Sequence, residues 1–186
     1  WTVLLELSTG SDEAARSLFE AVLDEAARTT LVTDSAIATN TVQARELWQL
    51  RESIPLAQAR EGLNIKHDIA LPVSAIPAFL REVMPSLHAA VPGLRPVVYG
   101  HLGDGNLHFN LQAPEGMPAD ALLQQHESTL NRLVHDAAMA GGGTFSAEHG
   151  IGALKAGELA LRKSPVALAM MHAIKQALDP QGLLNP

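Results

Sequence analysis

The sequence predicts an α+β fold in which an antiparallel sheet carries helices on one face. Short alternating apolar stretches are separated by longer stretches with the period of a helix. The pair Asp104-Gly105 lies between two strand-like stretches and predicts a hairpin, so at least one strand pair is antiparallel. A doubly wound parallel sheet is the alternative, but no Gly-x-Gly-x-x-Gly follows a predicted strand and the sequence has no P-loop.

Periodicity and breaker residues define the elements along the chain. Val and Leu alternate near the start, Ser11 is placed to cap a helix, and Pro55 kinks or restarts another. The predicted elements are a strand at 2–8, a helix from Ser11, a weak strand within 29–38, a helix from Asn40 or Thr41, a strand at 64–71, a helix capped by Ser74 that runs to about Ala90, strands at 94–101 and 107–111, a helix at 119–140, and a helix from Pro165 to about Leu178.

Composition excludes several classes of protein. The chain has 186 residues, of which 47% are apolar and 18% charged, as expected of a globular domain with a sizeable core. The net charge of −7 and the scattered Lys and Arg residues argue against nucleic acid and anionic membranes as partners. Because there is no cysteine, disulfides and thiolate chemistry are excluded.

Two features bear on location and completeness. No apolar stretch is long enough to span a bilayer, and no signal peptide leads the chain. The composition is typical of a bacterial protein, and on that ground we expect a cytoplasmic location. The chain starts at Trp1 without an initiator Met, and we expect it to be part of a longer protein.

The predicted hairpin brings two histidines together. With Asp104-Gly105 as a two-residue turn, His101 faces His108 directly, with Cβ atoms about 5 Å apart. Asn110 lies on the same face as His108 because side chains alternate along a strand. Two opposed imidazoles and an amide are a good start to a metal site. An ordinary hairpin with core or surface histidines is the alternative.

A glycine-rich segment at 141–152 adds a carboxylate and a third imidazole. Glu148 and His149 lie within it, and its glycines allow the backbone to approach a ligand closely. Two histidines and one carboxylate are a common ligand set for zinc or iron, which leaves His149 free to act as a base. A solvated loop is the alternative for this segment.

The strand predicted at 64–71 has two different faces. Alternation sends His67 to one face with two isoleucines, where we expect it to pack, and sends Lys66 and Asp68 to the other. We expect Asp68 to orient Lys66.

Several motifs in order resemble one family. They are the hairpin sequence at 99–110, Ser-Ala-Glu-His-Gly-Ile-Gly at 146–152, and the ending Leu-Asp-Pro-Gln-Gly-Leu-Leu-Asn-Pro. The chain resembles the C-terminal domain of FAD-linked oxidases, a group that includes D-2-hydroxyglutarate dehydrogenase, D-lactate dehydrogenase and the glycolate oxidase flavin subunit. Leu-Arg-Glu-Ser-Ile-Pro and Asn-Ile-Lys-His-Asp-Ile are most similar to the first of these.

The resemblance implies that residues 1–186 form a substrate- and metal-binding cap domain with a ferredoxin-like sheet. FAD would be bound mainly by an N-terminal domain of the same full-length chain. The implied reaction oxidises a D-2-hydroxy acid to a 2-oxo acid and passes hydride to FAD. An electron acceptor for the flavin is also implied, a homodimer is compatible with the family, and neither nucleic acid nor a membrane span is expected.

The resemblance also assigns roles near the predicted hairpin. His101, His108 and Glu148 look like ligands of a divalent metal, with zinc the expected ion. His149 looks like the general base that removes the proton of the substrate hydroxyl.

The other implied site residues would bind substrate or flavin. Arg51 and Lys66 match positions that hold substrate carboxylates, Asn110 matches a substrate-contacting amide, and Asn185 is expected to reach the flavin. Relatives specific for 2-hydroxyglutarate can carry Thr where Pro55 stands. Because proline has no hydroxyl to donate, the exact hydroxy acid stays open.

Two other classes of function fit the residues. A self-contained metallohydrolase could use the same histidines and carboxylate to activate water. A non-catalytic binding or dimerisation module would contain no metal and would expose an apolar face. Metal content separates the module from both enzymes, and ester or amide hydrolysis separates the two enzymes from each other.

Overall fold

We describe the chain from a computed structural model, in which residues 1–184 are described. It divides into two compact units, Trp1–Gly62 and Leu63–Pro186. The α+β class predicted from the sequence is confirmed, because helices accompany a three-stranded antiparallel sheet.

The first unit is helical. Its helices are α1 (Asp12–Arg28), α2 (Thr41–Glu52) and α3 (Ile54–Arg60). The Ser11 side chain accepts from the Ala14 N–H at 3.3 Å, so the predicted cap of α1 is confirmed. Pro55 lies in the first turn of α3, where its missing N–H leaves no bond unmade, and so it restarts the helix.

The strands predicted at 2–8 and within 29–38 are wrong. Neither stretch is in a strand, and no sheet forms among the described residues of the first unit. Alternating apolar residues suit a pleated surface, but a strand also needs a neighbour to complete its hydrogen bonds. The pattern at 2–8 was therefore insufficient by itself.

The second unit contains the sheet. It is built from β1 (Asn64–Ala70), α4 (Ile76–Ala90), β2 (Arg95–His101), β3 (Asn106–Gln112), α5 (Ala119–Ala140), α6 (Ala156–Arg162) and α7 (Pro165–Leu178). The strand order is β1-β3-β2 and both pairs are antiparallel, so β1 and β2 run parallel on either side of β3. The segment β1-α4-β2 is thus a split β-α-β unit.

The hydrophobic core lies on the face of the sheet that carries α4 and α5. Its largest enclosed side chains include Ile69 and Phe109 from the strands, Leu87 from α4, and Leu122 and Leu130 from α5. Phe109 contacts the Phe79 ring edge-on at 5.5 Å, an arrangement that aromatic pairs favour. The prediction of helices on one face of the sheet is therefore confirmed.

The ferredoxin-like detail stays a prediction. That pattern would place a further strand after α5. There the described chain makes only an isolated antiparallel bridge between Ala70 and Thr144.

The hairpin forms, but its register differs from the predicted one. A 3₁₀ turn spans Leu102–Asp104 and only Gly105 has a positive φ, at 69°, so the loop has four residues rather than two. His108 is paired with Tyr99, and His101 is paired with Asn106. The predicted direct opposition of His101 and His108 is wrong, although a shift of two residues keeps both on one face.

Two smaller predictions also need correction. A 3₁₀ turn at Val73–Ala75 precedes α4, which has no side-chain cap, so Ser74 does not cap the helix. The elements predicted from the sequence also lack α6, a short helix that follows Lys155 and that periodicity did not reveal.

Candidate active site

One face of the sheet is lined by polar side chains, and we call it the polar face. Asn106, His108 and Asn110 alternate along β3 away from the core. On β1, Asp68 is paired with His108 and Lys66 with Asn110. The predicted alternation along β1 is confirmed, and a cation, a carboxylate, an imidazole and two amides share this surface.

The β2 strand adds an aromatic ring and a second imidazole to the polar face. The Tyr99 ring lies 5.1 Å from the His108 ring, between centroids. His101 ends β2 and is exposed, diagonally across from His108. Diagonal neighbours in a sheet are about 7–8 Å apart, within reach of long side chains.

The glycine-rich segment reaches the polar face along the edge of β1. Thr144 and Ala70 exchange two backbone hydrogen bonds, at 2.8 and 3.2 Å. A Cβ at Gly143 would lie only 2.2 Å from the Ala70 carbonyl oxygen, so this approach requires glycine. The chain after α5 is thereby held against the strand that carries Asp68.

Asp68 binds the backbone of the segment directly. Its Oδ2 accepts from the N–H groups of Ala147, Glu148 and His149, at 3.2, 2.8 and 2.9 Å. Its Oδ1 accepts from the Asn106 amide at 3.1 Å. These bonds bring Glu148 and His149 to the polar face, although they lie 80 and 81 residues beyond Asp68 in sequence.

The His149 side chain lies between two groups of the polar face. Its Nδ1 is 3.6 Å from Asp68 Oδ2, too long for a hydrogen bond but close for an electrostatic contact. Its ring stacks on that of His108, with centroids 6.1 Å apart and planes 21° apart. The structure therefore brings together His108 and the Glu148-His149 pair, as the two sequence motifs suggested.

Asp68, Glu148 and His149 each offer a ligand atom, and these atoms lie within 4.8 Å of one another. An ionised carboxylate has about two acceptor sites on each oxygen, and the three N–H donors at Asp68 Oδ2 fill those of that oxygen, while the Asn106 amide takes one at Oδ1. Asp68 is thus committed to protein donors, whereas Glu148 and His149 are exposed. The predicted ligands His101, His108 and Glu148 do not form such a close group among the described residues, so that ligand set stays a prediction.

The electrostatics of Asp68 reflect these donors. Burial by itself would raise the pKa of this carboxyl, but the N–H groups of His149 and Glu148 and the Asn106 amide outweigh it and lower the pKa. Asp68 therefore carries a stable negative charge beneath the loop.

Lys155 secures the other end of the loop. Its Nζ donates to the Phe145 carbonyl at 3.2 Å and to Ser146 Oγ at 3.3 Å. Burial lowers the pKa of this ammonium group, and Asp68 opposes that shift.

A buried layer supports the loop from the core side. His67 donates from Nδ1 to the Phe109 carbonyl at 2.8 Å, and its ring contacts that of His135, with centroids 5.4 Å apart. His135 in turn contacts the Phe145 ring and approaches Glu158 of α6 at 3.3 Å. The expectation that His67 packs in the core is confirmed.

Two predicted binding residues, Arg51 and Asn185, do not belong to the described part of the second unit. Arg51 lies in the last turn of α2 and Pro55 in the first turn of α3, and both belong to the first unit. Asn185 lies outside the described residues. Their predicted roles in binding substrate or flavin stay predictions.

The sequence did not indicate that Asp68 binds the backbone of the glycine-rich segment, or that Lys155 binds residues 145 and 146. An acidic residue between buried positions of a strand was the available signal for Asp68, because such a charge needs partners. Nothing in the local sequence indicates that those partners are backbone groups 79 to 81 positions away.

With this geometry established, comparison with known proteins defines the class. The family described as "FAD linked oxidases, C-terminal domain" matches residues 1–186. The chain belongs to this family.

Curated relatives are found among dehydrogenases. The mitochondrial D-2-hydroxyglutarate dehydrogenase of Arabidopsis thaliana is 40% identical over 186 residues, which is 99% of this chain and 31% of the relative. D-2-hydroxyglutarate dehydrogenase of Xanthomonas citri pv. viticola is 39% identical, over 99% of this chain and 38% of the relative. The mitochondrial D-2-hydroxyglutarate dehydrogenase of Rattus norvegicus is 37% identical, over 99% of this chain and 33% of the relative.

The chain thus spans about a third of the length of these relatives, as the matched shares of 31% to 38% state. Among residues 1–184, no helix combines the length and the apolar character needed to cross a bilayer.

Proposed function

We propose that this chain is the substrate- and metal-binding part of a flavin-dependent dehydrogenase that oxidises a D-2-hydroxy acid to a 2-oxo acid. The observation that carries the proposal is the meeting of His108, Glu148 and His149 beside the cation Lys66 and the amide Asn110. Family membership supports flavin as the oxidant, and the names of the relatives make D-2-hydroxyglutarate the first substrate to test.

The chain's own residues would bind and orient the acid. Lys66 is exposed on the polar face opposite Asn110, where a cation and an amide can hold one carboxylate. Arg51, with its planar fork of donors, is proposed for a second carboxylate. Pro55 has no side-chain hydroxyl and can donate no hydrogen bond to the acid.

His149 is proposed as the general base. The negative charge of Asp68 lies beside Nδ1 and favours the ring proton there, so Nε2 is left to accept the hydroxyl proton. The hydroxyl proton would pass to His149 Nε2, the C2–H bond would break with its hydrogen leaving as hydride, and the electrons of the O–H bond would form the C=O bond of the 2-oxo acid. FAD supplies the two-electron acceptance that no side chain of this chain can provide.

The residues fit a divalent metal by their donor chemistry. Imidazole and carboxylate ligands suit zinc and related ions, and His101, His108 and Glu148 would hold one. Such an ion would polarise the substrate hydroxyl and lower its pKa. An electron acceptor, a homodimer and a cytoplasmic location stay predictions.

The test of the function uses the gene product that contains this chain together with its flavin-binding part. We expect it to reduce an electron-accepting dye with a D-2-hydroxy acid and not with the L enantiomer. The 186-residue chain by itself should reduce none, because it lacks flavin. Hydrolysis of esters or amides by the isolated chain would instead favour the metallohydrolase.

The metal assignment is tested by metal analysis of His101→Ala. We expect the bound divalent ion to fall from about one per chain to a small fraction, because a site with three protein ligands loses one. His88→Ala is the matched control, since His88 is exposed on α4 and away from the polar face in sequence and element. Equal metal content in the two variants would remove His101 from the ligand set.

A further inference from the structure

The Asp68 carboxylate is a buried charge in the second unit. Its residue is only 3% exposed, yet among residues 1–184 no cationic side chain forms a hydrogen bond with it. Three consecutive backbone N–H groups converge on one of its oxygens. Successive N–H groups that point into one concavity form an anion-binding nest. Here the anion is supplied by the protein itself.

Hydrogen bonds to Asp68 satisfy backbone N–H groups of the loop that no helix or strand satisfies. The residues around this nest form no helix or strand, and Gly150 and Gly152 follow with φ of 71° and 54°. The N–H of Ala147 also donates to the Asp68 backbone carbonyl at 3.1 Å. The backbone at 147–149 is therefore fixed mainly by one residue of β1, while the side chains of Glu148 and His149 stay exposed.

We infer that Asp68 is the positioning residue of the site: it sets where the Glu148 carboxylate and the His149 imidazole lie on the polar face. This inference rests on the proposed function for the reaction that the two groups serve. It does not require Asp68 to touch substrate or metal. Without the carboxylate, three N–H groups lose their acceptor, and both functional side chains lose their common anchor.

A direct metal ligand is the competing role for Asp68, because its oxygen lies within 4.8 Å of ligand atoms of Glu148 and His149. Substitution by asparagine separates the two roles. In Asp68→Asn the side-chain amide oxygen can still accept from the three N–H groups. The new NH₂ group can donate to Asn106 Oδ1 if the Asn106 side-chain amide rotates by about 180°. Because a neutral amide is a much poorer zinc ligand than a carboxylate, rescue by asparagine indicates positioning.

The experiment compares Asp68→Ala, Asp68→Asn and the control Asp120→Ala in the full flavoprotein. Asp120 is an exposed carboxylate in the first turn of α5 and has no part in the site. For Asp68→Ala we expect kcat and the affinity for added zinc to fall about 10- to 100-fold, the usual effect of losing a group that orients metal ligands. KM should change much less, because Lys66 still holds the carboxylate.

Asp68→Asn should recover most of the lost kcat and zinc affinity, and Asp120→Ala should match the wild type. If asparagine behaves like alanine in zinc binding, Asp68 is a ligand and the inference is overturned. It is also overturned if folded Asp68→Ala keeps the wild-type kcat and zinc affinity, since the residue would then serve stability only.

Hydrogen exchange gives a readout that does not depend on catalysis. The amides of residues 147–149 should exchange faster in Asp68→Ala, while those of β3 should keep their protection. Unchanged protection at 147–149 contradicts the inference. If the wild type oxidises no hydroxy acid, the proposed function fails, and amide exchange and zinc affinity still decide the role of Asp68.

Discussion

At the residue scale, His67 is a titratable group enclosed by the core. Burial lowers its pKa from 6.5 to about 4, against the opposing effect of the Phe109 carbonyl, and the nearby His135 and Lys155 lower it further. Burial also lowers the pKa of His135, although Glu158 opposes that shift. Both histidines are therefore held neutral beneath the loop that carries the site.

These shifts predict that the protein loses stability on mild acidification. Between about pH 6.5 and 4 the unfolded chain binds a proton at His67 that the folded chain does not, so stability falls as pH falls through this window. Below the pKa of His67 in the folded protein, this contribution to the free energy of unfolding is lost completely. For His67 it amounts to about 3 kcal/mol, since one pKa unit corresponds to roughly 1.4 kcal/mol.

The measurement is urea unfolding at several pH values, with His67→Asn and His88→Asn compared. Asparagine can keep a donor near the Phe109 carbonyl but does not titrate, so the pH dependence should become shallower in His67→Asn. Part of it should remain because of His135. The exposed His88→Asn variant should keep the wild-type slope, and a slope equally steep in both variants would show that His67 is not the source.

At the scale of elements, the turn between β2 and β3 depends on one glycine for two reasons. Gly105 has φ of 69°, a conformation that L residues avoid. A Cβ there would lie 1.9 Å from the Leu71 carbonyl oxygen, and the Leu71 N–H donates to the Gly105 carbonyl at 3.0 Å. The hairpin that carries His101 and His108 is therefore closely packed against the end of β1.

Gly105→Ala should lower the free energy of unfolding by at least about 2 kcal/mol, from backbone strain and the clash with Leu71. Gly116→Ala isolates the strain, because Gly116 has φ of 82° and open space around its Cβ position, and should cost about 1 kcal/mol. Gly103→Ala, in the same turn with no positive φ and no neighbour, should change stability by less than about 0.5 kcal/mol. Equal effects of all three substitutions in chemical unfolding would refute the close approach.

The same turn shows what could be predicted from the sequence. Leu122, Leu130 and Val134 recur with helical period, and α5 was predicted with its observed bounds. Asp104-Gly105 correctly marked a hairpin but not its loop length, because the dipeptide fits more than one turn type. The register, and with it the partner of His108, depends on how Gly105 packs against Leu71, which is a tertiary contact.

In the candidate site too, local features could be predicted from the sequence and tertiary contacts could not. Alternation, which is a local rule, placed Lys66 with Asp68 on one face of β1 and His108 with Asn110 on one face of the hairpin. That these two faces form one surface follows from the pairing of β1 with β3, which the sequence did not show. The arrival of Glu148 and His149 beside them was suggested by composition and by resemblance to a family. The bond network that holds them was not predictable, since it joins a strand to a loop through backbone donors and has no sequence signature.

At the scale of the whole molecule, buried apolar residues are distributed unevenly. The buried hydrophobic cluster is drawn entirely from 65–138, in the second unit. By contrast, α1, α2 and the apolar α7 have no buried residue. Because most helical stability in proteins comes from packing of an apolar face, these three helices are held much less firmly than α4 and α5.

This distribution predicts a graded pattern of amide exchange in the 186-residue chain. Amides of β1, β3, α4 and α5 should exchange slowest, at rates that approach those set by global unfolding, because their opening exposes the core. Amides of α1, α2 and α7 should exchange orders of magnitude faster through local opening. Exchange measured by mass spectrometry in the isolated chain and in the full flavoprotein tests this. Slow exchange of α7 in the isolated chain would show that its apolar side chains are already covered, whereas protection gained only in the flavoprotein would identify the helix as a surface that another part of the protein covers.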